Sequence, residues 1–346
     1  MSKERLSNFE LLRIVSILLI LTMHSLSQVQ VSELSTFNVF LSHVISSIGN
    51  IGVSCFVLIS GYFGIKFKLQ RFVQLAFLTT LYTVVVYLFQ KGFVFNGGIV
   101  KAFLVVPLYE NWFVSCYLLL TLFSPYLNDF VQKLSKIQYA KLLAVMIVCF
   151  CMLPTAFNTP WYTVIFGGGK CLPYVIFLYL MGRFLRLHLN LDVVRSKALF
   201  LFFIFQVLIL VGNIGVEHLM HRPCKVLALD CSPLILGSAI SVFYIFRSFF
   251  FHSKLVNWIS SSVFAIYLLE GLRIWINNYI HIEEYADSNK LALALLCLVT
   301  LTFVCALFID KVRILLFGGL EQKLLNKLAH YVMSLKIYVF RKLEIK

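Results

Sequence analysis

About ten apolar runs dominate the chain, near residues 9–28, 42–65, 72–92, 109–128, 141–157, 171–188, 198–216, 232–250, 256–279 and 291–310. Each is roughly 17–25 residues long, enough for a helix to cross ~30 Å of hydrocarbon. Strands of a membrane barrel would alternate apolar and polar residues, and these runs do not. Of the 346 residues, 60% are hydrophobic and only 13% are charged. So few charges could not cover a soluble core of this size. The expected fold is therefore all-α, a polytopic transmembrane helix bundle of about ten spans. Soluble enzymes, secreted disulfide scaffolds and disordered tails are excluded.

The net charge of +15 raises the question of nucleic acid, and the distribution of the charges answers it. If the N-terminus is cytoplasmic, the inside loops and the tail collect most of the 30 Lys and Arg residues. The outside loops hold only Lys91, Lys101, Lys170, Arg222, Lys225 and Lys290, balanced by acids. The positive-inside rule then reads both termini as cytoplasmic, in a multi-pass protein of the cell membrane. The surplus charge is orientation and contact with anionic lipid, with no nucleic-acid partner expected. The first span is too long for a cleavable signal peptide and carries Arg13. Residues 1–312 read as the bundle and 313–346 as a basic amphipathic tail on the inner leaflet. Most of the nine cysteines read as small apolar packers, while Cys224 and Cys231 share an outside loop and could form a disulfide.

Ionisable side chains inside a bilayer are costly, so each is a functional candidate. Glu10 and Arg13 are helical neighbours, and His24 follows Arg13 by eleven residues, within about 20° of three full turns. The three share one face, with Arg13 and His24 roughly 16 Å apart along the axis. An imidazole that can take and return a proton suits general-base work. The alternative is an interfacial His and an Arg snorkelling to phosphate. In the second span His43, Ser46 or Ser47, Asn50 and Ser54 make a polar stripe that suits hydrogen bonding between helices. Gly49, Gly52 and Gly61 permit close packing there. Lys66, Lys68 and Arg71 cluster just inside, either to hold phosphates or to orient the helix.

Several segments resemble the acyltransferase family 3 membrane proteins. The most specific is Glu10-Leu-Leu-Arg13 followed at the family's spacing by His24. The stretch from Gly52 to Tyr62 is similar to the second-span motif ending in Ser-Gly-aromatic, and Lys68-Leu-Gln-Arg71 falls where the family carries an Arg-x-x-Arg pair. Trp112 to Leu120, with Ser124-Pro125, resembles the fourth span, and Phe264 to Glu270 a late span. The resemblance implies transfer of an acyl group, usually acetyl, from cytoplasmic acyl-CoA to a hydroxyl of a surface polysaccharide or its lipid-linked precursor. It implies His24 as the base or acyl carrier, Arg13 and Glu10 as positioning groups, and Lys68 and Arg71 on the phosphates of coenzyme A. Acetyl-CoA is then the donor substrate, and no metal or prosthetic group is expected.

The chain departs from the family pattern at three positions. Ser54 stands where many members have Asp, Lys68 where they have Arg, and Glu270 where His is common. Lysine keeps the charge but gives up bidentate phosphate recognition. Glu270 is expected to form a buried ion pair with Arg273. Glu110, Asn111 and Trp112, at the outer mouth of the fourth span, could contact a sugar, although an interfacial Trp more often belongs to the aromatic belt. Asn111 and Trp112 are the candidate acceptor contacts. A transporter or flippase of lipid-linked glycans is the alternative, but no inverted repeat is visible. A glycan polymerase would want larger, Arg-bearing outside loops.

Overall fold

Backbone polar groups find no water inside a bilayer, so an apolar run must satisfy them within itself by forming helix. The structure, a computed structural model, describes residues 6–343 except 95, 107, 109–110, 158–166, 190–194 and 222. Among the described residues every regular element is helical: α1 (Ser7–Leu26), α2 (Thr36–Gly49), α3 (Ile51–Phe63), α4 (Leu69–Lys91), α5 (Gly97–Phe103) and α6 (Trp112–Gln132). They are followed by α7 (Lys136–Ile147), α8 (Leu153–Ala156), α9 (Leu172–Leu187), α10 (Arg195–Met220) and α11 (Pro233–Arg247). Then come α12 (Lys254–Ser260), α13 (Val263–Leu268), α14 (Leu272–Ile280) and α15 (Leu291–Leu343).

Eight helical stretches among the described residues are long and apolar enough to cross a membrane. One is the 28-residue pair α2–α3, and a ninth is possible if the bent pair Lys254–Leu268 and Leu272–Ile280 counts as one span. The remaining expected segment, α9, has 16 residues, roughly 24 Å of helix, and most of its side chains are buried. This is a multi-pass membrane protein.

The most internal helices carry the site. α1 packs against α2, α3, α11, α12, α13 and α15. Gly49 and Gly52 face it so closely that a Cβ would meet Met23 at 2.8 Å or the Ser16 carbonyl at 2.7 Å. α3 and α9 touch backbone to backbone, because Gly61 lies against the Tyr179 carbonyl and Gly182 against the Leu58 carbonyl. Small residues let helices approach where no hydrophobic effect drives them together. By contrast α10 shows Phe200, Phe203, Val207 and Val211 outward, as a lipid-facing helix should.

The long α15 runs unbroken for 53 residues and is tied to α4 by polar contacts. The Tyr82 hydroxyl donates to Asp310, Arg313 pairs with Asp310 at 3.0 Å and with Glu321, and Gln74 donates to Glu321 at 3.1 Å. All nine cysteines are free thiols, Cys224 and Cys231 included, so the possible disulfide is not formed.

Candidate active site

Three stretches of sequence make the site: the inner face of α1, the break between α13 and α14, and the start of α4. Two turns of helix end at Leu268 and resume at Leu272 after a bend of 85°. Irregular backbone at membrane depth is tolerated only where protein or a cavity satisfies it. Here the Gln90 side chain donates to the Gly271 carbonyl at 2.9 Å. Gly271 also leaves room for α4, since a Cβ there would meet Val86 at 2.6 Å.

Glu270 sits at this break, and its Oε2 lies 2.5 Å from Nδ1 of His24. Both side chains are partly buried, 29% exposed for His24 and 21% for Glu270. A carboxylate at that distance fixes the ring and selects the tautomer with the proton on Nδ1, leaving Nε2 as the acceptor. The expected Glu270–Arg273 ion pair does not form. Arg273 instead donates from Nε to the His24 carbonyl at 3.1 Å, which Ser27 Oγ also reaches at 2.7 Å. That carbonyl belongs to the last turn of α1, where helix carbonyls lack internal partners. The bend turns Glu270 toward α1, so the imidazole takes the carboxylate and Arg273 takes the helix end.

One face of α1 also carries the other two candidates. Arg13 Nη1 meets Glu10 Oε1 at 2.6 Å, and Ser260 Oγ donates to Glu10 Oε2 at 2.7 Å. Glu10 is buried and engaged by both Arg13 and Ser260, so it fixes the position of Arg13.

Two cavities meet at Arg13. The first, about 540 Å³, is lined by Lys66, Lys68 and Arg71 at the basic end. The second, about 520 Å³, runs past Ser60 and Tyr117 to Ile20, Phe113 and Tyr267. They share Arg13, Ser60, Arg71, Leu75 and Tyr117, and together trace one path into the bundle. Ile20 is one helical turn before His24, and Tyr267 one turn before Glu270, so the path stops a turn short of the pair. Lys68 is the exposed N-cap of α4 and Arg71 lies in its first turn. Their charges therefore add to the positive end of a helix dipole.

Asn111 caps α6 by accepting from the Val114 N–H at 3.2 Å, and accepts from the Tyr267 hydroxyl at 3.2 Å. It is tied into the wall of the path. Trp112 starts α6 and stacks edge-on against Phe113 at 5.7 Å. Glu110 lies outside the described residues. The polar stripe of the second span makes contacts between elements: His43 Nε2 meets Glu217 at 2.8 Å, Ser46 accepts from Lys225 at 3.0 Å, and Asn50 donates to the Ala228 carbonyl. Burial pulls the Lys225 ammonium below its ordinary pKa, against the attraction of Glu217.

The Glu270–His24 pair escaped a reading by sequence spacing, because the partners are 246 residues apart. Glycine after a membrane-embedded acid was the one local sign of a break at that position. Comparison with curated proteins and with solved structures gives no match. The family model for the acyltransferase domain matches residues 6–311, and the chain belongs to the acyltransferase 3 family of membrane proteins.

Proposed function

We propose that the protein is an O-acetyltransferase. It would move an acetyl group from acetyl-CoA, entering at the basic end, to a hydroxyl of a surface polysaccharide or its lipid-linked precursor. The observation that carries this reading is the 2.5 Å contact between Glu270 and His24, one helical turn beyond the inner end of an Arg-lined path.

Lys68 and Arg71 hold the phosphates of the donor, and Arg13, fixed by Glu10, steers the thioester inward. Nε2 of His24 takes the proton of the acceptor hydroxyl as its oxygen attacks the thioester carbon. The C–O bond forms, the C–S bond breaks, and the imidazolium returns the proton to the departing sulfur. Glu270 stays ionised and stabilises the imidazolium between the two transfers. Asn111 and Trp112 stand where the acceptor would approach. Both termini are cytoplasmic in this scheme, and the basic stretch after residue 312 lies against anionic lipid.

His24→Ala should abolish O-acetyl signals in NMR of the surface glycan while the protein reaches the membrane in normal amount. Undiminished O-acetylation in that strain would sink the reading.

A further inference from the structure

A third cavity, about 770 Å³, adjoins the first at Arg13 and Phe63, but neither Lys68 nor Arg71 lines it. Arg13, Arg183, Arg186 and Arg247 line it together with the rings of Phe9 and Tyr62. Its one acid is Glu10, already engaged by Arg13 and Ser260. Among the described residues no carboxylate comes within ion-pair distance of Arg183, Arg186 or Arg247.

Two of these guanidiniums are incompletely satisfied. Nε of Arg183 and Nη1 of Arg247 are buried without a hydrogen-bond acceptor, although Arg247 lies beside Tyr244. Arg186 donates to the Tyr62 hydroxyl at 3.1 Å and lies 5.1 Å over that ring; Arg247 lies 5.8 Å over it. Arg186 and Arg247 end their helices, where a cation is favoured by the dipole. That accounts for their charge but not for two helices aiming three guanidiniums at one space. Nor does it account for nitrogens buried without acceptors, which is costly. The start of α1 adds to the positive field, since Leu6 gives it no side-chain cap. Apolar surface surrounds the charges: Phe63 is 49% and Phe250 88% exposed.

We propose that Arg183, Arg186 and Arg247 form a phosphate site, separate from Lys68 and Arg71, for a phosphate ester on an apolar or aromatic body. Two sources share that chemistry. One is the headgroup of an anionic phospholipid, which is independent of any transfer activity. The other is the phosphorylated nucleoside end of the donor, which rests on the acetyltransferase reading.

Two probes separate them. Purified wild-type protein is titrated calorimetrically with adenosine 3′,5′-bisphosphate, and native mass spectrometry measures retention of phosphatidylglycerol against phosphatidylcholine. R183Q/R247Q is expected to lose at least ten-fold in affinity for one probe, while K68A/R71A keeps it. The probe that is lost identifies the source. Should R183Q/R247Q fail to fold, R186Q, altered only at the exposed rim, is expected to lose about three-fold for the same probe. The proposal is overturned if wild type binds neither probe or if the folded variants bind both as tightly as wild type. A loss as large in K68A/R71A overturns the separateness of the site. None of these outcomes touches the transfer chemistry, which stands or falls on acetylation by wild type against His24→Ala.

Discussion

His24 is held at two points, a carboxylate on Nδ1 and a guanidinium on its carbonyl oxygen. Either loss would let the ring or the end of α1 drift from the path. Glu270→Gln keeps the shape and removes the charge that supports the imidazolium. It should lower kcat by about 10²-fold, roughly 2.7 kcal/mol, with KM for acetyl-CoA nearly unchanged. Steady-state kinetics in detergent measure both, and an unchanged kcat would remove Glu270 from the chemistry. Lys68→Ala with Arg71→Ala should instead raise the donor Kd by about ten-fold, the worth of about one charge-assisted hydrogen bond at an exposed site. Equilibrium binding of acetyl-CoA reads this directly, and an unaltered Kd would take both residues out of the donor site. Glu10, Arg13 and His24 could be placed on one face from spacing alone, because a helix fixes the angle between residues it contains. Glu270 could not, since nothing local says which of two basic neighbours a carboxylate will meet.

At the scale of elements, glycine decides where helices touch. A Cβ at Gly61 would press on the Tyr179 carbonyl, and one at Gly182 on the Leu58 carbonyl. Both obstacles are backbone and cannot rotate away. Gly61→Ala should therefore cost about 1–3 kcal/mol, seen as a lower thermal midpoint in detergent. Gly215, on the lipid-facing α10, has nothing within 4 Å, and Gly215→Ala should leave the midpoint unchanged or raise it slightly. Equal effects at the two sites would contradict the packing described. The spans themselves were legible as apolar runs. The break at residues 269–271 was marked locally only by Gly271 after Glu270, and the carbonyl it frees is satisfied by Gln90 from another helix, which no local pattern shows.

For the whole molecule, an even number of crossings puts both ends on one side: the eight long apolar stretches do so by themselves, and ten do so if both the bent pair and the 16-residue α9 cross. Its roughly 24 Å can cross if the bilayer thins locally around a buried helix. Reporter fusions at residues 1 and 346 should both report cytoplasmic, and opposite locations would show that only one of α9 and the bent pair crosses. The sequence by itself determined the all-helical membrane bundle and the Glu10–Arg13–His24 face. Both follow from hydrophobic run length or the helical repeat, which are properties of consecutive residues. Only the tertiary structure decided that Glu270 serves His24, that Arg273 caps α1, and that three arginines from α9 and α11 face one cavity. Those are choices among partners far apart in the chain, and packing geometry makes them.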